Sequence, residues 1–337
     1  MNVPITQLAV GLLPVGVFLG GLVYLDSYKL VTLRATLIAI AVGCAAALVA
    51  LAANTALLDS TEISASIFSR YVAPVLEECL KAVYLAYLLQ KKRIGFMVDA
   101  AICGFAIGAG FSMVENLYYL QTVDTGNLLI WIIRGFGTAL MHGGTTAVVG
   151  VLGRSLQDRF PERLLYTFLP GLGVAILIHS VFNHFFLSPV LSTFLTLCGL
   201  PLVMYLVFRY SEQSTREWLG VGFDTDQALL QMLTSGVLLE NKVGQYLASL
   251  QDRFPGEVVA DLLCLLRIHV ELSINAKGLL LMREAGFEPG PDPEVRAKLT
   301  ELQFLHKSVG KTGLLALHPF MHTSSRSLWE LHMLAQT

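Results

Sequence analysis

The sequence predicts an all-α protein: a polytopic membrane bundle of about seven helices, followed by a more water-compatible helical domain. Three observations carry that expectation. Of 337 residues, 54% are apolar and only 14% charged, with a mean hydropathy of +0.63; a soluble domain carries roughly 25% charge. Seven apolar runs reach the roughly 20 helical residues that a bilayer core requires. Charge is also uneven. Residues 1–210 carry 12 Lys/Arg and 10 Asp/Glu, whereas the shorter stretch 211–337 carries 11 and 15. The break near Arg209 therefore divides a membrane domain, 1–210, from a tail, 211–337. A net charge of −2 offers no basic footprint for nucleic acid.

The runs lie at about 4–25, 32–57, 71–90, 96–120, 130–153, 166–187 and 190–209. The first lacks a basic flank and a small-residue cleavage site, so it is expected to be retained as a span. Orientation follows from the loops. Lys29 and Arg34 flank the first, Lys91, Lys92 and Arg93 the third, Arg154, Arg159 and Arg163 the fifth, and Arg209 and Arg216 follow the last span. The intervening loops hold Arg70 beside Asp59 and Glu62, then Asp124 alone, then no charge. Positive charge marks the cytoplasmic side, which puts the N-terminus outside and the tail in the cytoplasm. Cys44, Cys79, Cys103 and Cys198 lie in apolar runs without CxxC spacing and are expected to be buried free thiols.

The tail reads as helical, with apolar residues at helical spacing over 257–285 and a break at "EPGPDP" (288–293). "SVGKTG" (308–313) lacks the first glycine of a phosphate loop, since position 305 is Leu, and is expected to be a turn. His318 and His322 are four apart, but Pro319 intervenes and no carboxylate accompanies them; a solvated or packing role is expected.

Chemistry concentrates inside the membrane half. The third span contains "EECLK", which puts Glu77, Glu78 and Lys81 on one side of a helix at i, i+3 and i+4 spacing. One lysine offsets one carboxylate, so the second needs another partner. In the fourth span Gly104, Gly108, Ser112 and Glu115 form a small or polar stripe that lets helices approach closely and turns Glu115 inward. The fifth carries His142 in "LMHGGTTA", with Arg134 expected to snorkel at the outer interface. The sixth repeats the stripe with Gly171, Ala175, His179 and Asn183; His184 is expected at the interface. Counted from the outer ends at 1.5 Å per residue, these groups share a layer roughly 8–12 Å deep. Buried ionisable groups in a membrane are functional candidates by default.

Taken together, "EECLK" (Glu77–Lys81), "FSMVE" (Phe111–Glu115), "HSVFN" (His179–Asn183) and a mid-span His142 resemble the motifs of the PrsW family of intramembrane proteases. That family is related to the CAAX prenyl endopeptidases and bacteriocin-processing membrane proteins. The resemblance spans roughly residues 60–190. It implies a metallopeptidase-like enzyme of the bacterial inner (plasma) membrane, acting on membrane-protein or membrane-peptide substrates in the lipid bilayer. Cleavage of an anti-sigma factor is the family's best-known role. Two features depart from the CAAX relatives: position 82 is Ala in place of a basic residue, and the second motif ends in Glu115 in place of His. The third motif ends in Asn183 where Asp is often found. The tail matches no known pattern and is expected to be regulatory or to bind a cytoplasmic partner.

Peptide hydrolysis needs an activated water and a group that stabilises the developing oxyanion. Two schemes stand open. In one, His142 and His179 with a glutamate hold zinc, and the other glutamate is the base. In the other, Glu77 or Glu78 activates water, and His179, oriented by Asn183, stabilises the oxyanion; Lys81 supports a carboxylate in either. No HExxH is present to decide between them. The rival classes are a proton- or cation-coupled transporter and an inactive membrane scaffold. Against the transporter, the sequence shows no inverted repeat and no proline-broken helix pair marking a midplane site.

Overall fold

A computed structural model describes residues 5–122, 127–157, 159–160, 163–235, 240–287, 289–321 and 325–335. Asp124, His322 and Glu288 of the "EPGPDP" break lie outside them. Among the described residues every regular element is helical, and the chain divides into two compact units, Met1–Glu212 and Gln213–Thr337.

The first unit contains α1 (Ile5–Tyr24), α2 (Leu33–Ser60), a short α3 (Ala65–Ile67), α4 (Ala73–Gln90), α5 (Met97–Thr122), α6 (Leu128–Ile132), α7 (Ala139–Gln157), α8 (Leu164–His184) and the start of α9 (Pro189–Thr234). Five of these (α1, α2, α5, α8 and α9) are long and apolar enough to cross a membrane. The other two expected spans correspond to α4, which carries three charges, and α7, whose face is rich in Gly and Thr. The last apolar run ends near Arg209, but its helix does not: it continues to Thr234.

α5 is the pivot. It is buried along most of its length, and glycine is the reason neighbours can approach it. A Cβ on Gly104 would lie 2.5 Å from the Thr146 carbonyl oxygen of α7. One on Gly108 would run into the His142 carbonyl, and Gly43 of α2 packs as tightly on Ile107. No side chain separates these backbones, so dispersion contacts accumulate where lipid supplies no hydrophobic drive between helices. Ala100, Ala101, Ile102, Phe105, Ala106, Ile107 and Ala109 fill the core around this helix. The loop ahead of α2 is held by Asp26, which accepts the Leu30 and Val31 N–H groups at 2.6 and 3.2 Å. Thr32 then caps α2 through Ala35 N–H.

Two short π-helical segments interrupt the bundle, Phe68–Val72 before α4 and Ile133–Thr138 before α7. Such segments leave carbonyls short of partners and recur at functional sites. Here the Arg70 carbonyl accepts Ser180 Oγ at 2.6 Å and the Ser69 carbonyl accepts Asn183 Nδ2 at 2.9 Å. Both bonds tie α8 to the approach of α4.

The second unit is built from the later turns of α9 with α10 (Lys242–Ser249), α11 (Gly256–Glu284), α12 (Pro293–Leu317) and α13 (Ser325–Leu334). α11 is its core, with Leu262, Leu265, Leu266, Leu272 and Leu280 buried. The buried Lys277 ammonium binds Asp226 at 2.7 Å, Glu330 at 3.0 Å and Ser273 Oγ at 2.6 Å. The break after α11 is real over 289–292, where Asp292 caps α12 and Pro293 begins it. The expected turn at "SVGKTG" is present at one residue: Gly310, with φ 63° and ψ −177°, is non-helical and breaks α12 into two helical stretches, a backbone that suits glycine. His318 ends α12. The cysteine expectation holds in part. All five thiols are free, but only Cys103 is buried; Cys44 is half-buried, and Cys79, Cys198 and Cys264 are exposed.

Candidate active site

Four helices bring the predicted groups together. α4 projects Glu78 and Lys81 wholly into the bundle and leaves Glu77 at its edge, 15% exposed. Lys81 Nζ donates to Glu78 Oε1 at 2.6 Å and reaches His142 Nδ1 of α7 at 3.1 Å. The same Glu78 oxygen lies 2.8 Å from His179 Nδ1 of α8 and 3.3 Å from Thr145 Oγ1. On its far side His142 places Nε2 2.9 Å from Glu115 Oε2 of α5. The two imidazoles meet edge to face, with centroids 4.7 Å apart. Phe111 covers the ammonium at 4.9 Å.

The contacts assign tautomers. Lys81 can only donate, so His142 Nδ1 accepts and its Nε2–H points to Glu115. Glu78 Oε1 accepts from Lys81, so His179 donates from Nδ1 and keeps a lone pair on Nε2. That nitrogen lies 3.8 Å from Glu77 Oε2. The separation is too long for a hydrogen bond.

Several expectations change here. Arg134 does not snorkel away. Its guanidinium turns to the site, with Nη2 3.4 Å from Glu115 Oε1 and Nε donating to Asn116 Oδ1 at 2.9 Å. It also lies 3.7 Å over the Tyr119 ring. Glu115 is half-buried, and its carboxylate is the nearest opposite charge to a guanidinium that lies within ion-pair reach. Asn183 does not orient His179, because its amide is spent on the Ser69 carbonyl; Glu78 holds the ring. His184 stacks on Phe186 and bonds the Ser180 carbonyl, beside the site and outside it.

Three partners were missed from sequence. Asn54 Nδ2 of α2 donates to Glu77 Oε1 at 3.0 Å, Thr145 touches Glu78, and Asn116 links Arg134 to the Gly11 carbonyl at 2.8 Å. The asparagines were visible as lone amides in apolar helices. Nothing local told where they point.

The donor set also fits a metal ion once His142 exchanges its contact with Lys81 or Glu115 for the metal. Glu77, His142 and His179 each offer one ligand atom, and these lie within 4.8 Å of one another. Two imidazoles and a carboxylate are a known catalytic zinc set. In the same buried pocket Glu78 Oε2 has no hydrogen-bond partner among the described residues, leaving a further acceptor beside that set.

A family model described as "PrsW family intramembrane metalloprotease" matches residues 31–209, more than half of the chain and the stretch from α2 into α9. No curated protein and no solved structure matches it. The match covers every glutamate and histidine of the site, and the chain belongs to the PrsW family of intramembrane metalloproteases, an integral membrane peptidase.

Proposed function

We propose that the chain is an endopeptidase that cuts membrane-associated polypeptides at the Glu77–Glu78–His142–His179 centre, with Glu115 as the partner of His142. One observation carries the reading: glutamates and histidines from four helices meet inside the bundle, and each histidine is oriented by a carboxylate. In this reading Glu77 is the general base. It is the more exposed glutamate of the pair, it is aimed by Asn54, and its free oxygen lies across a 3.8 Å gap from the lone pair of His179. A water held there would give its proton to Glu77, which returns it to the leaving amine. Glu78 and Lys81 are positioning residues. Glu78 fixes the His179 tautomer, and Lys81 balances Glu78 and fixes that of His142. Asn183 supports by pinning α8. In the metal-loaded alternative Glu77, His142 and His179 would instead hold a zinc ion, with His142 giving up one of its two present contacts and Glu78 Oε2 taking the part of the base; the ion would polarise the peptide carbonyl and acidify water.

The same proposal takes all seven apolar segments as spans, with α4 and α7 shielded from lipid by their neighbours, an outside N-terminus and a bacterial plasma membrane. The unit from residue 213 onward is then a cytoplasmic regulatory or partner-binding domain. The test uses purified full-length protein in lipid nanodiscs, presented with a library of single-span peptides. Glu77→Gln should lower turnover at least about 10²-fold while leaving unfolding unchanged. Folded Glu77→Gln and His179→Ala proteins that still cut at wild-type rates would sink the assignment.

A further inference from the structure

The geometry points to a specificity pocket for this centre: a site that receives one large apolar side chain of the substrate, next to the bond to be cut. The inference deepens the proposed function and rests on it. A cavity of about 310 Å³ is lined by Tyr119, Trp131, Arg134, Thr138, Phe182 and Phe185, among others. Its position relative to the site follows from spacing. Tyr119 is four residues beyond Glu115 on α5, Thr138 four before His142, and Phe182 three beyond His179 on α8. Each step is about one helical turn, or roughly 5.4 Å. The cavity therefore lies one turn from the centre along three helices at once, toward one end of the bundle.

Arg134 is the shared wall. It lines the cavity, lies on the Tyr119 ring and reaches Glu115 at 3.4 Å. That pairing neutralises the single charge in the lining, so the cavity offers no counter-ion to a charged occupant. Burying one there without a partner would be costly. Aromatic and aliphatic walls instead favour an apolar guest. The volume sits at the small end of ligand pockets, which run from about 300 Å³, and so suits one side chain with its flanking peptide. Phe185, which ends α8 with a φ of 53°, lies at the open rim of the cavity.

The test separates this inference from catalysis by using binding as its readout. The probe is a Leu/Ala single-span peptide with one benzoylphenylalanine near its outer end, irradiated with full-length protein in nanodiscs. Crosslinks should map to Tyr119, residues 130–138 and residues 182–192. The same peptide carrying Phe should compete at least about tenfold better than one carrying Ala. Ser192→Phe, which fills the cavity from its own lining, should cut labelling severalfold. Cleavage by the wild-type protein in the same preparation should show the same preference for Phe over Ala. Crosslinks scattered over the lipid-facing helices, or equal competition by Ala and Phe, would overturn the pocket even where turnover is intact. Specific labelling without any turnover would instead overturn the catalytic reading and leave the pocket standing as a binding site.

Discussion

Replacing Lys81 by Met tests the charge arrangement without reference to any substrate. Lys81 and Glu78 are both fully buried, 2.6 Å apart, and methionine keeps the length of the stem while deleting the ammonium. Glu78 would then retain only His179 Nδ1 and Thr145 Oγ1, at 2.8 and 3.3 Å, and its Oε2 is already unpartnered. Breaking a buried pair from one side costs about 3–5 kcal/mol, largely because a bare charge is left behind. Differences inside membranes run smaller, since the unfolded helices find partners in the bilayer, so about 3 kcal/mol is expected. Removing both charges should restore much of it. Lys81→Met with Glu78→Gln leaves a neutral amide that still accepts from His179, and it should stop short of wild type by about 1–2 kcal/mol because His142 Nδ1 loses its donor. The assay is reversible unfolding in mixed micelles, read as a double-mutant cycle. A single Lys81→Met cost below about 1 kcal/mol, or a double variant no more stable than the single, would refute a buried, mutually dependent pair.

Other outcomes follow from the packing and the charges. Gly108→Val should destabilise by about 1–3 kcal/mol and also depress activity, because the added carbons meet the His142 backbone and only separation of α5 from α7 relieves them; wild-type unfolding and turnover would contradict this. Asn54→Leu should lower kcat at least severalfold while moving stability little, since it frees the Glu77 carboxylate to rotate; an unchanged kcat removes Asn54 from the site. In the second unit burial pushes the Glu271 carboxyl up, but hydrogen bonds from Arg267 and Lys298 outweigh it and hold the group below its usual range. That contribution, at most about 1 kcal/mol for a partly exposed cluster, is present above about pH 4.3 and lost as pH falls below it. Hydrogen exchange of α11 and α12 at pH 7 and pH 3.5 should show the loss in wild type and a smaller one in Lys298→Ala. In a cysteine-free background, a cysteine at Glu62 should react with an impermeant reagent from outside cells, and one at Lys92 should not; the reverse would invert the topology.

The helical bundle was legible because its signal is one-dimensional. A run of apolar residues needs no partner to be recognised, and the Pro293 boundary is written in adjacent residues. Where helices end is less local. The run ending near Arg209 loses its apolar character there, but helix propensity does not change with it, so α9 continues to Thr234 through Ser, Glu, Gln and Arg. "SVGKTG" was legible in part: glycine marks the break at Gly310, while the neighbours on both sides favour helix and keep it to that one residue. The thiols show the opposite limit. An apolar neighbourhood in sequence is shared by helix faces that turn to the core, as at Cys103, and by faces that turn outward, as at Cys79 and Cys198.

The site divides along a similar line. Glu77, Glu78, Lys81, Glu115, His142 and His179 announce themselves because a charge or imidazole in a bilayer is costly wherever it points. Asn54, Thr145 and Asn116 cost less and so announce less; their meaning lies in a partner 23, 67 or 105 residues away. Arg134 fell between the two groups. It stands near a span end, where the cheapest outcome for an isolated arginine is to reach water. The structure offers it Glu115 instead, and with that choice one residue joins the carboxylate beside His142 to the aromatic wall of the neighbouring cavity. An interfacial arginine could be lost with little effect on chemistry. An arginine paired to Glu115 could not: Arg134→Gln should disturb both turnover and the preference for a large apolar residue, and Arg134→Lys, which lacks the planar fork holding Asn116 and Tyr119 together, should rescue the charge without restoring the selectivity.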